Sequence, residues 1–191
     1  ASAVGVAFAG DLLSLFLWWE ALAITSVFQI WGRKTKEAED SGFRYLFFHV
    51  SSGLILLAGI LVRYHGEGAS AFSLAPLTEA LEAGDAGAIL ILLAIGIKAA
   101  FPGLHTWLKD GYSEATHTGP VWLCAFTTKC AVCMLARLFP GAEILITIGG
   151  VMAMFPIFYA VIENDLRRVL CYSKINQIGV MVVGIGIGTE L

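Results

Sequence analysis

Apolar residues run along this chain in long unbroken blocks separated by short polar links. The blocks lie at 12–31, 45–61, 86–109, 120–136, 144–162 and 169–188, with 1–10 reading as the end of a preceding helix. A bilayer core about 30 Å thick needs about 20 residues at 1.5 Å each. The pattern therefore predicts an all-α, polytopic transmembrane helix bundle. Short signals mark its joints. Asp11 can cap the helix that follows it, because a short carboxylate satisfies free N–H groups at a helix start. Pro120 suits a first helical turn, Phe139-Pro140-Gly141 is a turn, and Pro156 predicts a kink inside its span.

The block at 86–109 differs from the others. Lys98 interrupts it, Phe101-Pro102-Gly103 then breaks the helix, and an amphipathic piece from Leu104 to Lys109 follows. A lysine near the centre of a span costs about 2.5–3.5 kcal/mol on insertion scales. Non-helical backbone at membrane depth is tolerated only where protein or a water-filled cavity covers it. A charge and a break in one span point to a polar pathway. Lys129, after Thr127 and Thr128, is a second lysine more than a turn from either end of its span. Glu20, beside Trp18 and Trp19, is the one charge in the first full span; it either faces the bundle interior or sits near the headgroups. His49 suits a packed, hydrogen-bonded core position or a proton relay. Lys174, Asn176 and Gln177 add polar groups to the last span.

Composition supports the membrane class. Of 191 residues 58% are hydrophobic and only 14% charged, well below a soluble domain. With no basic stripe, nucleic acid is not an expected partner. Cys130 and Cys133 stand three apart without flanking ligands, so the four cysteines read as small packing residues, and no metal or cofactor is expected. No nucleotide loop, metal cluster or Ser-His-Asp set is present, so no catalytic nucleophile is assigned. The start lacks an initiator methionine and a basic signal-peptide region, and both ends read as cuts through a longer protein. The links 32–44, 110–118 and 163–168, with Lys109 at the edge of the second, carry seven lysines and arginines; the opposite links carry only Arg63 and Arg137. The positive-inside rule places the first group in the cytoplasm. The connection from 63 to 85 is acidic, with a short interfacial helix expected at 76–83.

Four stretches then carry a family likeness: DLLSLFLWWE at 11–20, IKAAFPGLHTWLKDGYSEA at 97–115, AFTTKCAV at 125–132 and ENDLRRVLCYSKINQIGVMVVGIG at 163–186. The chain resembles the proton-conducting membrane subunits shared by respiratory complex I and the Mrp-type cation/proton antiporters, and is most similar to the D-type member of those antiporters. The resemblance implies a larger bundle built from inverted repeats, each with a broken helix, of which this chain covers the first and the helix after it. It implies a coupled Glu20–Lys98 pair, Lys129 as the next proton carrier, and His105 beside the break at Pro102 and Gly103. Thr106, Thr127, Thr128, His49 and Lys174 are expected to support the polar path.

The chain departs from relatives at three places. Leu108-Lys109-Asp110 replaces a usual Leu-Pro-Asp. The segment 122–129 lacks a histidine common in complex I members, which favours the antiporter branch. Lys174 stands where relatives mostly have an uncharged residue.

Burial disfavours an ammonium and a nearby carboxylate favours it, so the hold on the Lys98 proton follows its distance from Glu20. The function expected is proton translocation in a transporter subunit, with other membrane subunits, the lipid bilayer, protons and Na+ or K+ as partners, in a bacterial inner membrane. A proton-pumping subunit of an NADH-quinone oxidoreductase-like or hydrogenase-like complex, and a non-conducting structural subunit, are the alternatives.

Overall fold

The first long helix begins where a short carboxylate can serve it. In the computed structural model, which describes residues 1–188, α1 (Ser2–Ala7) is followed by Asp11, which accepts from the Ser14 amide at 2.7 Å. The Ser14 hydroxyl donates to it too, and these bonds hold the Asp11 carboxyl below its usual range. α2 (Leu12–Trp31) runs from this cap. Thr35 caps α3 (Lys36–Glu67) in the same way. α4 (Thr78–Glu82) is a short helix, and Asp85 caps α5 (Ala86–Lys98). α6 (Thr106–Ser113), α7 (Gly119–Trp122), α8 (Thr128–Leu138), α9 (Glu143–Ile162) and α10 (Leu166–Ile187) complete the bundle. No strand occurs among the described residues; one isolated bridge pairs Asp11 with Ser73.

Among the described residues, five helical stretches are long and apolar enough to cross a membrane: α2, Lys36–Phe72, Gly119–Leu138, α9 and α10. Polarity is distributed in the membrane manner. Phe47, Leu54, Phe158 and Val161 are exposed on the outside. His49, Ser52, Lys98, Thr127, Thr128 and Lys174 lie inside. Lipid tails accept the first set and cannot serve the second, which must find partners within the bundle.

Three links are shorter than the sequence pattern suggests. The charged stretch at 32–44 is mostly helix: only a turn precedes Lys36, and Lys34 takes a positive φ of 57° in it. Lys36, Glu37 and Glu39 are good helix formers, and the two acids suit the positive end of the helix dipole. The same helix runs past the expected end at 61 to Glu67, where Arg63 and Glu67 pair at 2.6 Å one turn apart. α6 takes in Asp110 to Ser113, expected as part of a link. Apolarity marks the part of a helix that meets lipid, not where the helix stops.

Gly119–Leu138 contains a π-helical turn at Leu123–Thr127. Such a turn leaves carbonyls without their usual partners. Tyr112 Oη donates to the Leu123 carbonyl at 3.0 Å, and Thr128 Oγ1 donates to that of Cys124 at 3.2 Å. Pro156, inside α9, removes one N–H from its ladder. Asn176 of α10 donates to the Ala153 carbonyl in the turn before it.

α9 and α10 approach at backbone distance. A Cβ on Gly149 would lie 2.7 Å from the Gly179 carbonyl oxygen, and one on Gly179 would lie 2.6 Å from the Ala153 nitrogen. Small residues that let backbones meet are the usual glue where no hydrophobic force drives helices together.

The links gather at two ends. At one, Arg33 pairs with Glu114 at 2.8 Å, Arg44 with Asp110 at 3.7 Å, and Arg167 donates to the Ser113 and Ala115 carbonyls. All three basic links thus meet on one face of the bundle. At the other, Arg137 donates to the Ala9 carbonyl, Leu77 to that of Leu138, and Gly141 to that of Ile185. Replacing Gly179 with leucine should force α9 and α10 apart. Overpacking of this kind costs about 1–3 kcal/mol, so the variant should melt at lower temperature in detergent by tryptophan fluorescence.

Candidate functional site

α5 ends in the middle of the bundle, and the Ile95, Gly96 and Ile97 carbonyls at its end all have partners. The Phe101 N–H bonds the Gly96 carbonyl at 2.9 Å and the Ala100 N–H that of Ile97 at 3.2 Å. Trp107 Nε1 adds a second bond to the Ile97 carbonyl at 2.9 Å. This is a helix stop with one residue in the left-handed region, a place glycine usually takes. Ala100 takes it here, at φ 62°. The Phe101 ring packs over Gly96, where a Cβ would collide with it. The break thus falls just after Lys98, the last residue of α5. At that position an ammonium meets the negative end of the helix dipole.

Lys98 is fully buried. Its Nζ donates to the Trp19 backbone carbonyl at 2.6 Å and lies 4.1 Å from the centre of the Trp19 ring. Trp19 is itself tied down: its Nε1 donates to Ser52 Oγ at 3.0 Å, and Ser52 donates to the Ala94 carbonyl at 2.7 Å. A closed loop of contacts therefore joins α2, α3 and α5 around the ammonium. Glu20 is the next residue on α2. Its Oε1 is buried without a hydrogen-bond partner, against Gly53 of α3, where a Cβ would overlap it. Glu20 and Lys98 do not form an ion pair: the carboxylate lies against Gly53 and the ammonium on the Trp19 carbonyl. The carboxylate and the ammonium share a polar interior while each keeps a separate seat.

The other residues singled out in the sequence are placed as follows. His49 is fully buried, stacked on Tyr45 with ring centres 3.9 Å apart and edge-on to Trp107. Its Nδ1 lies 2.9 Å from the Tyr45 carbonyl, which only accepts, so Nδ1 carries the hydrogen. Nε2 is buried with no hydrogen-bond partner. His105 lies elsewhere, its ring 4.8 Å from that of Phe155 on α9 and its Nδ1 buried without a partner. Thr106, Pro102 and Gly103 are exposed, and Thr127 and Thr128 are buried. Lys129 is half-buried. Its Nζ lies 3.0 Å from Met181 Sδ of α10, whereas that of Lys98 rests on the Trp19 carbonyl of α2. Lys174 is buried on α10. The structure thus brings Glu20, Lys98 and His49 together, and Lys129 with Lys174, but leaves His105 apart from both groups.

Comparison with known proteins adds an identity to this geometry. Residues 9–191 match the profile of one protein family, described as NADH:quinone oxidoreductase/Mrp antiporter, transmembrane. The chain belongs to that family. NADH-quinone oxidoreductase subunit M of Escherichia coli (strain K12) is 26% identical over 98% of this chain and 41% of its own length. NAD(P)H-quinone oxidoreductase chain 4 2 of Microcystis aeruginosa is 31% identical over 100% of this chain and 37% of its own. The chain therefore spans about two-fifths of the curated relatives it matches. Two solved structures share its fold. The Mrp complex from Dietzia sp. DQ12-45-1b aligns at TM-score 0.87 and 22% identity, over 97% of this chain and 37% of that one. The membrane-bound sulfane sulfur reductase, an archaeal respiratory membrane complex, aligns at 0.83 and 24%, over 97% and 41%. This family member is thus a multi-pass membrane chain whose relatives are subunits of larger membrane complexes.

Sequence alone missed Trp19 and Ser52 as the groups that seat Lys98, and Gly53 as the gap that admits Glu20. Their only sequence signal is the cluster Ser51-Ser52-Gly53, a small polar patch in an otherwise bulky span. Ser52→Ala should leave the buried Trp19 indole N–H unpaired. An orphaned group of this kind costs about 1–3 kcal/mol, so the variant should melt earlier and its tryptophan emission should shift.

Proposed function

We propose that this chain forms part of a proton-translocating membrane subunit, with Lys98 as the central carrier, Glu20 as its modulator and Lys129 as a further carrier. One observation carries the proposal: a fully buried ammonium at a helix break, held by a backbone carbonyl rather than by a carboxylate, with an unpartnered carboxylate oxygen near it. A lysine kept only for packing would be expected to pair with the nearest acid. Keeping the two apart leaves the electrostatic balance adjustable.

The mechanism follows from that balance. Desolvation favours the neutral amine, and an approaching carboxylate favours the ammonium. A change in the position or charge of Glu20 therefore loads or unloads Lys98. The two titrate as one coupled system. The unpaired Nε2 of His49 is an acceptor at the same level, so it is a candidate for the first proton released. His105, Thr106, Thr127 and Thr128 would line water on either side of the break, with Pro102 and Gly103 giving the backbone its turn. No covalent bond to a substrate is made.

The host complex is proposed on the same terms. A monovalent cation/proton antiporter is supported by the fold shared with the Mrp complex and by the missing histidine in 122–129. An NADH-quinone oxidoreductase-like complex is the second reading, favoured by the names of the curated relatives. In either, other membrane subunits are the partners, protons the cargo, and Na+ or K+ the exchanged ions in the antiporter case. We place the end with Arg33, Arg44 and Arg167 in the cytoplasm of a bacterial cell, across its inner membrane.

Lys98→Ala in the full-length protein, assembled with its partner subunits in vesicles, should reduce proton-coupled transport to the level of empty vesicles while leaving assembly intact. A pH-sensitive dye reads the transport and co-purification reads the assembly. Glu20→Gln should cut transport nearly as far, and Lys129→Ala should lower it. Normal transport by Lys98→Ala would reject the relay in favour of a structural subunit.

A further inference from the structure

Lys174 is 8% exposed, and the relay above gives it no task as a carrier. Two observations place it against Lys129. Met181, whose sulfur touches the Lys129 amine at 3.0 Å, stands seven residues beyond Lys174 on α10. Residues at that spacing share one stripe of a helix. Both lysines also line one cavity of about 580 Å³ between the π turn, α8 and α10. The other titratable groups on its wall are Tyr112, His117, Cys124, Arg167 and Cys171, with no carboxylate among them. Lys98 comes from α5 on another side of α8 but turns to Trp19. From α9, Tyr159 stacks on Tyr172, and Glu143 lies at the far end of that helix.

Two ammonium groups facing each other without an anion between them repel. One ammonium and one free amine attract, because the free amine accepts the hydrogen its neighbour donates. We propose that Lys129 and Lys174 act as a diamine holding one proton between them. The cavity mouth at His117 and Arg167 is the route by which a second proton reaches the pair from the basic end of the bundle. This rests on the relay proposed above and adds a carrier to it. In the transfer an N–H bond at one lysine breaks as an N–H bond at the other forms. The electron pair of the broken bond stays on its nitrogen, and the pair keeps a single positive charge. The charge rises to two only when a proton enters before one has left, and repulsion then drives one out. A lone lysine would hold its proton more firmly than the pair holds its second one, having no cationic neighbour.

Two variants test this in the full-length protein, assembled in dye-loaded vesicles and assayed over a series of pH values. Lys174→Arg keeps a long cationic side chain that does not give up its proton. It should bring transport down to the Lys98→Ala level. Lys174→Met keeps the length and removes the charge. It should transport at a reduced rate, with its pH profile displaced toward the alkaline side. Wild-type transport by Lys174→Arg, or an undisplaced profile in Lys174→Met, overturns the diamine. Lys98→Ala run alongside separates the two proposals. If it is inactive while Lys174→Met is undisplaced, the diamine alone fails. If it is active while Lys174→Met is displaced, Lys98 is not the central carrier, and the diamine stands on proton translocation through Lys129 alone.

Discussion

Everything in this bundle is arranged around the cost of keeping one ammonium out of water. Lys98 has no access to solvent, and a backbone carbonyl and an indole face are what hold it. Such a group survives in the interior only if several elements converge to serve it. α5 stops directly after it, so the negative end of a helix dipole points at the charge. α2 supplies Trp19. α3 supplies Ser52 to fix Trp19, and Gly53 to make room for Glu20. If any one of these elements shifts, the others lose their reason for being where they are.

The helix break is part of the same solution. An uninterrupted helix through Lys98 would present no terminal carbonyls and no dipole end at this depth. Breaking it exposes carbonyls that must be satisfied within protein, and Trp107 together with the turn at Ala100 and Phe101 does so. The π turn facing α6 follows the same logic, since Tyr112 takes up a carbonyl that the turn releases. Irregular backbone appears where the interior needs polar groups, and close glycine packing, as between α9 and α10, appears where it does not.

The basic links meet at one end of the bundle although they lie far apart in the chain. Their clustering follows from alternation, because each full crossing reverses the side on which a link emerges. The alternation requires α5 and α6 together to count as one crossing. α5, with 13 residues, is about 20 Å long on its own, short of a bilayer core.

Runs of apolar residues were enough to determine an all-α membrane bundle, the order of its long helices, the break after Lys98, and the residues whose charge is out of place: Glu20, Lys98, Lys129 and Lys174. They could do so because lipid imposes a length and a polarity that each span must meet by itself, with no knowledge of its neighbours. Helix ends were less legible at Lys36, Glu67 and Ser113, because a helix can continue into the headgroup region with any good helix former. The partners of the charges were not legible at all. That Lys98 would rest on the carbonyl of Trp19 rather than on the carboxylate of Glu20, and that Lys129 would meet Met181 and share a cavity with Lys174, depends on how the helices rotate about their axes. That rotation is set by side chains meeting across helices, such as Gly53 against Glu20, and such contacts exist only once the chain has folded.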